Sequence, residues 1–337
     1  MLKPLLAALA LSSAAFVPAQ AAPQSPSASA PAKAQAETIR WQVATPFPET
    51  SLHTENLMQF AQEVERASQG RIKIVVKPDA ALKAAEAKRA VQNGQVQMAE
   101  IQLADVQSEW QTFGLDSIPF LASGYAQARK LYQAQRVPLG KRFAGQSMVM
   151  LYSVPSAPPG LFLRKPVKQL GDLRQLKWAA YSPATERMAK LLGAKAVAMP
   201  EAHVAQAVTQ GEVDAALVSA DGFNADAFES MEVFLDLQAW LPRHGVLMNL
   251  QAFEQLDMPL RKAVIKAAVA AEQRGWQQSE ARHRRFLGGL RDMGMDVVEP
   301  PEPLRTGLLK TVGEPLLDEW LQRTGPEGKL IIDDYRR

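Results

Sequence analysis

The chain of 337 residues is 47% hydrophobic and 22% charged, the balance of a globular protein. Its length is enough for one large domain or two medium ones. The formal net charge of +3 is too small to indicate a nucleic-acid partner. The sequence contains no cysteine, which excludes disulfides, thiol chemistry and cysteine-ligated metal sites.

The N-terminal residues predict export. Met1-Leu2-Lys3 is a short basic start, an apolar stretch follows at residues 5–17, and Ala19-Gln20-Ala21 fits a small-x-small cleavage site. The apolar stretch is shorter than the roughly 20 residues that cross a bilayer, so we expect a cleaved signal peptide at residues 1–22. Residues 23–37, rich in Pro, Ser, Ala and Gln, predict a flexible leader. We therefore expect a periplasmic protein that is not embedded in a membrane.

In the first half of the chain, strands and helices alternate. Apolar periodicity and turn residues mark each element. The predicted strands are residues 38–45, 71–78, 96–101 and 147–153, and the predicted helices are residues 52–68 and 126–135.

The second half repeats the alternation and then becomes helical. The predicted strands are residues 161–163, 176–180, 196–200, 213–218, 233–235 and 245–250, and a helix is predicted at residues 183–192. The pattern at residues 259–293 fits either one helix long enough to span both halves or two stacked helices. A further helix is expected within the tail, residues 304–332.

One phrase occurs twice: QNGQVQMA at residues 92–99 is echoed by TQGEVDAA at residues 209–216. Gly94 and Gly211 each follow an alanine-rich helical run, where glycine ends a helix in the left-handed conformation. The apolar residues after each glycine predict a buried strand. The phrase therefore predicts two β-α-β units, and because ligands bind outside the carboxyl ends of such strands, it predicts a cleft between them.

We divide the chain into two α/β lobes on this pattern. The first lobe is predicted to contain residues 38–153 and about 242–275, and the second residues 154–241 and about 276–337. The proline-rich turn at residues 155–160 marks the first crossing between them.

No catalytic motif is present. The sequence lacks Gly-x-Ser-x-Gly, His-Glu-x-x-His, Walker and Gly-x-Gly-x-x-Gly patterns. The four histidines, His53, His203, His244 and His283, lie in separate elements and are interpreted as surface or capping residues. Glu100, close to a strand end, is the carboxylate most worth attention. We predict a protein that is not an enzyme and needs no cofactor or metal.

The chain resembles the solute-binding proteins of tripartite ATP-independent periplasmic (TRAP) transporters, of the dicarboxylate-binding DctP type, over residues 39–332. The matching segments, in chain order, are Ala44-Thr45-Pro46, Phe60-Ala61-Gln62-Glu63-Val64, Ser68-Gln69-Gly70-Arg71-Ile72-Lys73-Ile74, Val76-Lys77-Pro78, Leu82, Asn93-Gly94, Ile118-Pro119-Phe120-Leu121, Leu170-Gly171-Asp172-Leu173-Arg174-Gln175-Leu176-Lys177, Leu192-Gly193-Ala194, Met199-Pro200 and Gly211-Glu212-Val213-Asp214.

The resemblance implies a type II-like, two-domain α/β protein with a central cleft and a long helix bracing both domains. Members of the family bind a small solute between the domains, close on it by hinge motion, and deliver it to a membrane permease. The implied partners are a small-molecule solute and the TRAP permease subunits, and we expect a monomer.

The chain departs from the family where substrate carboxylates are held. The family places an arginine two residues after the lysine of its "Leu-Lys" strand, and that position is Ala179. A second basic position falls near residues 159–160, with Arg164 a few residues away. The polar residue often found after the "Val-Asp" strand is Val218, beside Ser219, and a first-domain position often acidic in sialic-acid binders is Gln102.

These departures predict that the ligand is not a carboxylate held by the usual family arginine. Either the ligand is neutral or differently charged, or Arg164 takes over as the anion partner, or solute binding has been lost and the fold serves another role. The alternative function is a periplasmic sensing or interaction protein that signals to a membrane receptor. The candidate ligand-binding residues are Phe47, Glu100, Gln102, Phe120, Arg164, Trp178, Ala179, Tyr181, Val218 and Ser219.

Overall fold

The structure is a computed structural model that describes residues 38–337, which form one compact unit. The predicted signal peptide and leader lie outside the described residues. The elements before the first crossing are β1 (Ile39–Ala44), α1 (Leu52–Ala67), β2 (Ile72–Lys77), α2 (Ala84–Gln92), β3 (Met98–Gln102), α3 (Gly124–Ala144) and β4 (Met148–Pro155).

The following elements run to the end of the chain. They are β5 (Gly160–Leu163), β6 (Lys177–Ala180), α4 (Pro183–Leu192), β7 (Lys195–Ala198), α5 (Val204–Thr209), β8 (Ala215–Val218), α6 (Ala225–Phe228), β9 (Val233–Leu235), β10 (Arg243–Asn249), α7 (Leu250–Glu254), α8 (Met258–Asp292), β11 (Asp296–Val298), α9 (Glu302–Leu308) and α10 (Glu314–Arg336).

Two sheets with matching strand order confirm the predicted α/β class. The first sheet has the order β2-β1-β3-β10-β4, and the second has the order β11-β9-β5-β8-β6-β7. In the first sheet β1, β2 and β3 pair in parallel, and β10 is antiparallel to β3 beside it. In the second sheet β6, β7 and β8 pair in parallel, and β5 is antiparallel to β8 beside it. That antiparallel strand, β10 in the first sheet and β5 in the second, follows a crossing from the other sheet.

The repeated phrase occupies equivalent positions in the two sheets. Gly94 and Gly211 both have φ of 72° and end α2 and α5, as predicted. The strands β3 and β8 begin two residues later than predicted. The reason is local: the backbone N–H of Gln95 donates to the Ala90 carbonyl, and that of Glu212 donates to the Ala207 carbonyl. The residues after each glycine therefore finish closing the helix before the strand begins.

Helix α3 is longer than the predicted helix at residues 126–135. It runs through Pro138, a residue that disfavours the interior of a helix. An interior proline costs about 3 kcal/mol in an isolated helix. Leu139 and Phe143 follow it, both are fully buried, and both pack in the cluster around Phe113. Their burial offsets the cost, so tertiary packing extends the helix.

Helix α8 is a single helix of 35 residues, so of the two arrangements predicted for this segment the long helix is correct. It contacts both crossings. The Trp276 Nε1–H donates to the Ser153 carbonyl at 3.0 Å, and Glu272 Oε2 accepts from the Ser153 backbone N–H at 3.1 Å. His283 Nε2 lies 3.0 Å from Asp236 Oδ1, just after β9. The helix thus braces both sheets where the chain passes between them.

The C-terminal helix α10 packs on α3. Trp320 and Ile331 share a buried cluster with Leu115 and Leu131. The predicted boundaries assign α10 to the second lobe and α3 to the first, and these boundaries remain a prediction. Within residues 38–337, no helix combines the length and apolarity needed to span a membrane.

The contact between α8 and β4 gives a test of the bracing helix. A Cβ at Gly275 would overlap the side chain of Val154, whereas a Cβ at Gly288 would meet nothing within 4 Å. Gly275→Ala should therefore lower the free energy of unfolding by about 1–3 kcal/mol. Gly288→Ala, on the same helix, should raise it by about 0.5–1 kcal/mol. Urea unfolding of both variants measures the difference, and equal stabilisation of the two would contradict this packing.

Candidate ligand-binding cleft

A cavity of about 280 Å³ opens at the carboxyl ends of β1 and β3. This volume lies near the lower limit of ligand pockets, about 300 Å³, and suits a small solute. Small alanine side chains form part of its wall. The side chains able to contact a solute specifically are those of Thr45, Phe47, Lys83, Glu100, Gln102, Asp105 and His244.

The turn after β1 and the start of α1 place a histidine beside this cavity. Ser51 is the N-cap of α1, and its hydroxyl accepts from the Thr54 backbone N–H at 3.1 Å. The Thr54 hydroxyl in turn donates to the Phe47 carbonyl at 3.2 Å. These contacts join the turn to the first turn of the helix. His53, in between, is held inward and is 4% exposed.

A chain of buried polar groups links the two lobes' crossings to β3. The Thr45 hydroxyl donates to Glu100 Oε2 at 2.7 Å, and His53 Nδ1 lies 2.9 Å from Glu100 Oε1. His53 Nε2 lies 3.0 Å from Ser156 Oγ, which lies 3.1 Å from His244 Nε2. Both oxygens of Glu100 therefore have partners within the protein.

The two histidines also pack against one aromatic ring. Phe47 stacks on His53 with centroids 4.4 Å apart and meets His244 edge-on at 4.9 Å. The two imidazoles are 4.3 Å apart. Phe47 is half-buried, so its ring covers the pair and still borders the cavity.

The position of His244 is fixed by its neighbour in β10. Arg243 is 1% exposed, and its backbone N–H donates to Asp116 Oδ2 at 2.9 Å, while its guanidinium Nε lies 3.3 Å from the same oxygen. His244 itself pairs with Gln102 across the sheet. The start of β10 is therefore held by both a buried ion pair and the sheet register.

Burial makes His244 a neutral residue. It lowers the pKa of His244 well below the usual value, and the nearby His53 lowers that pKa further. Its Nδ1 is buried and has no hydrogen-bond partner among residues 38–337. Burial, with the Glu100 charge as a second cause, also raises the pKa of Tyr152 well above its usual value.

The second sheet approaches the cavity at Glu201. Desolvation raises the pKa of Asp105 on the first lobe, and repulsion from Glu201, just after β7, raises it further. Tyr181, after β6, also has a raised pKa, because of burial and then Glu201. Asp105 follows the carboxyl end of β3, and Glu201, whose charge acts on it, follows the carboxyl end of β7.

Six of the predicted ligand-binding residues lie at these carboxyl ends. Phe47, Glu100 and Gln102 line the first-lobe cavity. The Tyr181 hydroxyl donates to the Leu217 carbonyl at 2.8 Å. The other two, at the end of β8, are the buried Val218 and the half-buried Ser219.

The other four lie elsewhere. Trp178 and Ala179 are fully buried in hydrophobic clusters. Phe120, 9% exposed, packs in the second-sheet core, and its N–H donates to the Ala239 carbonyl at 2.7 Å. Arg164 donates to the carbonyls of Val208 at 2.6 Å and Val213 at 3.0 Å. Those contacts lie at the amino end of β8, opposite the end that carries Ser219.

The sequence interpretation missed the histidines. His203 is exposed, but His53, His244 and His283 are 3–4% exposed, so their interpretation as surface or capping residues was wrong. Isolated histidines carry no periodic signal. The available clue was the position of His53, five residues after the Pro46-Phe47-Pro48 turn that ends the first strand.

Two sheets that share the order of five strands, two crossings, a bracing helix and a small cavity define the class of bilobal extracytoplasmic solute receptors. Within that class, the chain belongs to the bacterial extracellular solute-binding protein family 7 (DctP), whose sequence model matches residues 43–323. The predicted resemblance is confirmed. The protein is a TRAP-type extracytoplasmic solute-binding protein, and the sensing alternative is not favoured.

Solved structures of TRAP receptors share this fold. DctP6 of Bordetella pertussis, an extracytoplasmic solute receptor binding pyroglutamic acid, is 41% identical, with a TM-score of 0.77 over 88% of this chain and 99% of that one. DctP7 of the same organism, which also binds pyroglutamic acid, is 34% identical, with a TM-score of 0.76 over 89% and 100%. A pyroglutamate-specific TRAP protein from a marine metagenome is 29% identical, with a TM-score of 0.74 over 89% and 99%.

The lowered pKa of His244 predicts acid-sensitive stability. The unfolded chain binds a proton at His244 below about pH 6.5, while the folded protein does not, so protonation favours unfolding. The stability that the neutral His244 contributes is present above pH 6.5 and is lost as the pH falls below it. Urea unfolding between pH 8 and 5 should show wild type losing about 1.4 kcal/mol per pH unit, below pH 6.5, relative to His244→Gln.

The control for this measurement is His203→Gln, which removes an exposed imidazole. It should keep the acid sensitivity of wild type. Parallel pH curves for wild type and His244→Gln would contradict the neutral state of His244.

Proposed function

We propose that this receptor captures pyroglutamate, or a similarly small cyclic acid, in the cavity at the ends of β1 and β3. The observation that carries the proposal is the identity of 41% and 34% to two receptors that bind pyroglutamic acid, over nearly the whole of each chain. The cavity supports it, since its size suits a five-membered ring and excludes a large solute.

The walls of the cavity offer complementary contacts. The ring of Phe47 and the alanines of α2 provide apolar surface, and Gln102 provides an amide. The ring of pyroglutamate is a flat lactam with one N–H and one carbonyl, so an amide and a few apolar walls satisfy most of it.

The carboxylate of the solute requires a positive partner. Residue 179 is a buried alanine, and the guanidinium of Arg164 already donates to two backbone carbonyls. Neither position therefore supplies a guanidinium for the solute carboxylate. Lys83 and Ala84, at the N-terminus of α2, line the cavity instead. The first N–H groups of a helix lack intrahelical partners, and the helix dipole favours an anion there. We therefore place the carboxylate at the start of α2, beside Lys83, and not at the family's arginine position.

The wider proposal follows the family. The second lobe closes over the solute, and the loaded receptor passes it to TRAP permease subunits without changing it chemically and without a cofactor. The mature monomer works in the periplasm after removal of residues 1–22. The apolar segment at residues 5–17 with its small-x-small site supports this location.

Calorimetric titration tests the ligand. Protein freed of bound solute by unfolding and refolding should bind L-pyroglutamate, and the thermal midpoint should rise because the solute binds only the folded state. L-glutamate, the ring-opened form, should bind far more weakly, because its ammonium group adds a charge. No heat and no thermal shift with pyroglutamate would overturn the proposal.

Substitution of Lys83 tests the place of the carboxylate. Lys83→Gln should weaken pyroglutamate binding about tenfold, equivalent to about 1.4 kcal/mol. Lys190→Gln, an exposed lysine on α4 outside the cavity, is the matched control and should leave affinity unchanged. Equal affinity of both variants would place the carboxylate elsewhere while leaving the ligand assignment intact.

A further inference from the structure

The hydrogen bonds that connect Glu100 to His244 have a defined order of donors and acceptors. A carboxylate only accepts hydrogen bonds, a hydroxyl donates one proton, and a neutral imidazole donates at one nitrogen and accepts at the other. Glu100 accepts from the Thr45 hydroxyl at 2.7 Å. Its second oxygen, 2.9 Å from His53 Nδ1, requires the proton to be on that nitrogen.

The remaining protons follow when His53 carries a proton at Nδ1 only. Its Nε2 then accepts from the Ser156 hydroxyl, 3.0 Å away. The Ser156 oxygen then accepts from His244 Nε2–H, 3.1 Å away. His244 is left with an unprotonated Nδ1, which is an acceptor. Three hydrogen bonds, through His53 and Ser156, thus connect the carboxylate of Glu100 to the tautomer of His244 on another strand.

Among the ring nitrogens of this hydrogen-bonded network, only the Nδ1 of His244 has no partner. It is buried and has no partner among residues 38–337, although the ring belongs to the lining of the cavity. A buried acceptor without a donor destabilises the protein, because it has lost its hydrogen bond to water and gained none. A solute that brings a donor to this nitrogen removes the cost, whereas a solute that brings an acceptor adds repulsion.

We propose that His244 Nδ1 accepts a hydrogen bond from the ring N–H of the bound solute, and that Glu100, His53 and Ser156 are positioning residues that fix this tautomer. The inference rests on the proposed function and deepens it. The hydrogen bonds from Glu100 to His244 thus determine ligand specificity. The receptor binds a cyclic acid with an N–H next to its carboxylate-bearing carbon more tightly than ring isosteres that lack this donor.

Three ring isosteres separate the contributions. Pyroglutamate carries N–H at the tested position, 3-oxocyclopentane-1-carboxylate carries CH₂, and the γ-lactone 5-oxotetrahydrofuran-2-carboxylate carries an oxygen acceptor. In calorimetric titrations of wild type near neutral pH, the carbocycle should bind about tenfold more weakly than the lactam and the lactone about a hundredfold more weakly.

Glu100→Gln should relax this selection. A glutamine amide can donate or accept toward His53, so the chain loses its fixed direction and His244 Nδ1 can carry a proton. The lactam-to-lactone ratio should fall at least tenfold, while affinity for the carbocycle changes much less. Ser156→Ala, which cuts the chain between the two histidines, should lower the ratio in the same way.

The matched control is Ser279→Ala. Ser279 is also a buried hydroxyl with a side-chain partner, 2.9 Å from the Tyr125 hydroxyl, but it lies on α8 outside the cavity. This variant should keep the wild-type ratio. Long-range ¹H–¹⁵N spectra of wild type supply a second readout that needs no variant, since they distinguish protonated from unprotonated ring nitrogens. They should show His244 protonated at Nε2 alone.

The outcomes separate the inference from the function it rests on. Binding of pyroglutamate with equal affinity for the lactone, an unchanged ratio in Glu100→Gln, or a protonated Nδ1 at His244 would overturn the inference and leave the receptor function standing. Failure of wild type to bind pyroglutamate at all would overturn both.

Discussion

An exchange of strands between the two sheets is the constraint on which the rest of the structure depends. The first sheet is completed by β10, which lies between β3 and β4, and the second by β5, which lies between β8 and β9. Because each inserted strand follows a crossing, both crossings end in a sheet interior: the first leads from the edge strand β4 to β5, and the second leads from β9 to β10. Ser156 and His244 lie at those crossings, which is why residues from both crossings meet beside the cavity. Helix α8 then holds the crossings through Trp276 and His283.

Much of this architecture could be predicted because its signals are local. Gly94 and Gly211 mark the same left-handed helix end twice, and the apolar runs behind them mark β3 and β8. The two β-α-β units, the α/β class and the family follow from such features. Where local preference and packing disagree, the prediction was wrong, as in α3, which continues through Pro138 because residues beyond it are buried.

The candidate site was less predictable because its contacts are distant in sequence. His53 and Glu100 are 47 residues apart, and Ser156 and His244 are 88 apart. No spacing rule links them, and a single histidine has no period to detect. Arg164 is the opposite case, a residue that was predicted in the site but lies outside it. Its strand is antiparallel to β8, so the direction of that strand, which residue types do not reveal, places its guanidinium at the edge away from the cleft.

The placement of β10 also determines how separable the two lobes are. The first sheet cannot be completed until a strand ending at Asn249 has been made, so the N-terminal half lacks a central strand until late in synthesis. Contacts between residues so distant in sequence slow folding. Neither lobe is therefore a continuous module. A chimera that exchanges one lobe with that of a relative has to exchange two stretches of chain together with the crossings that join them.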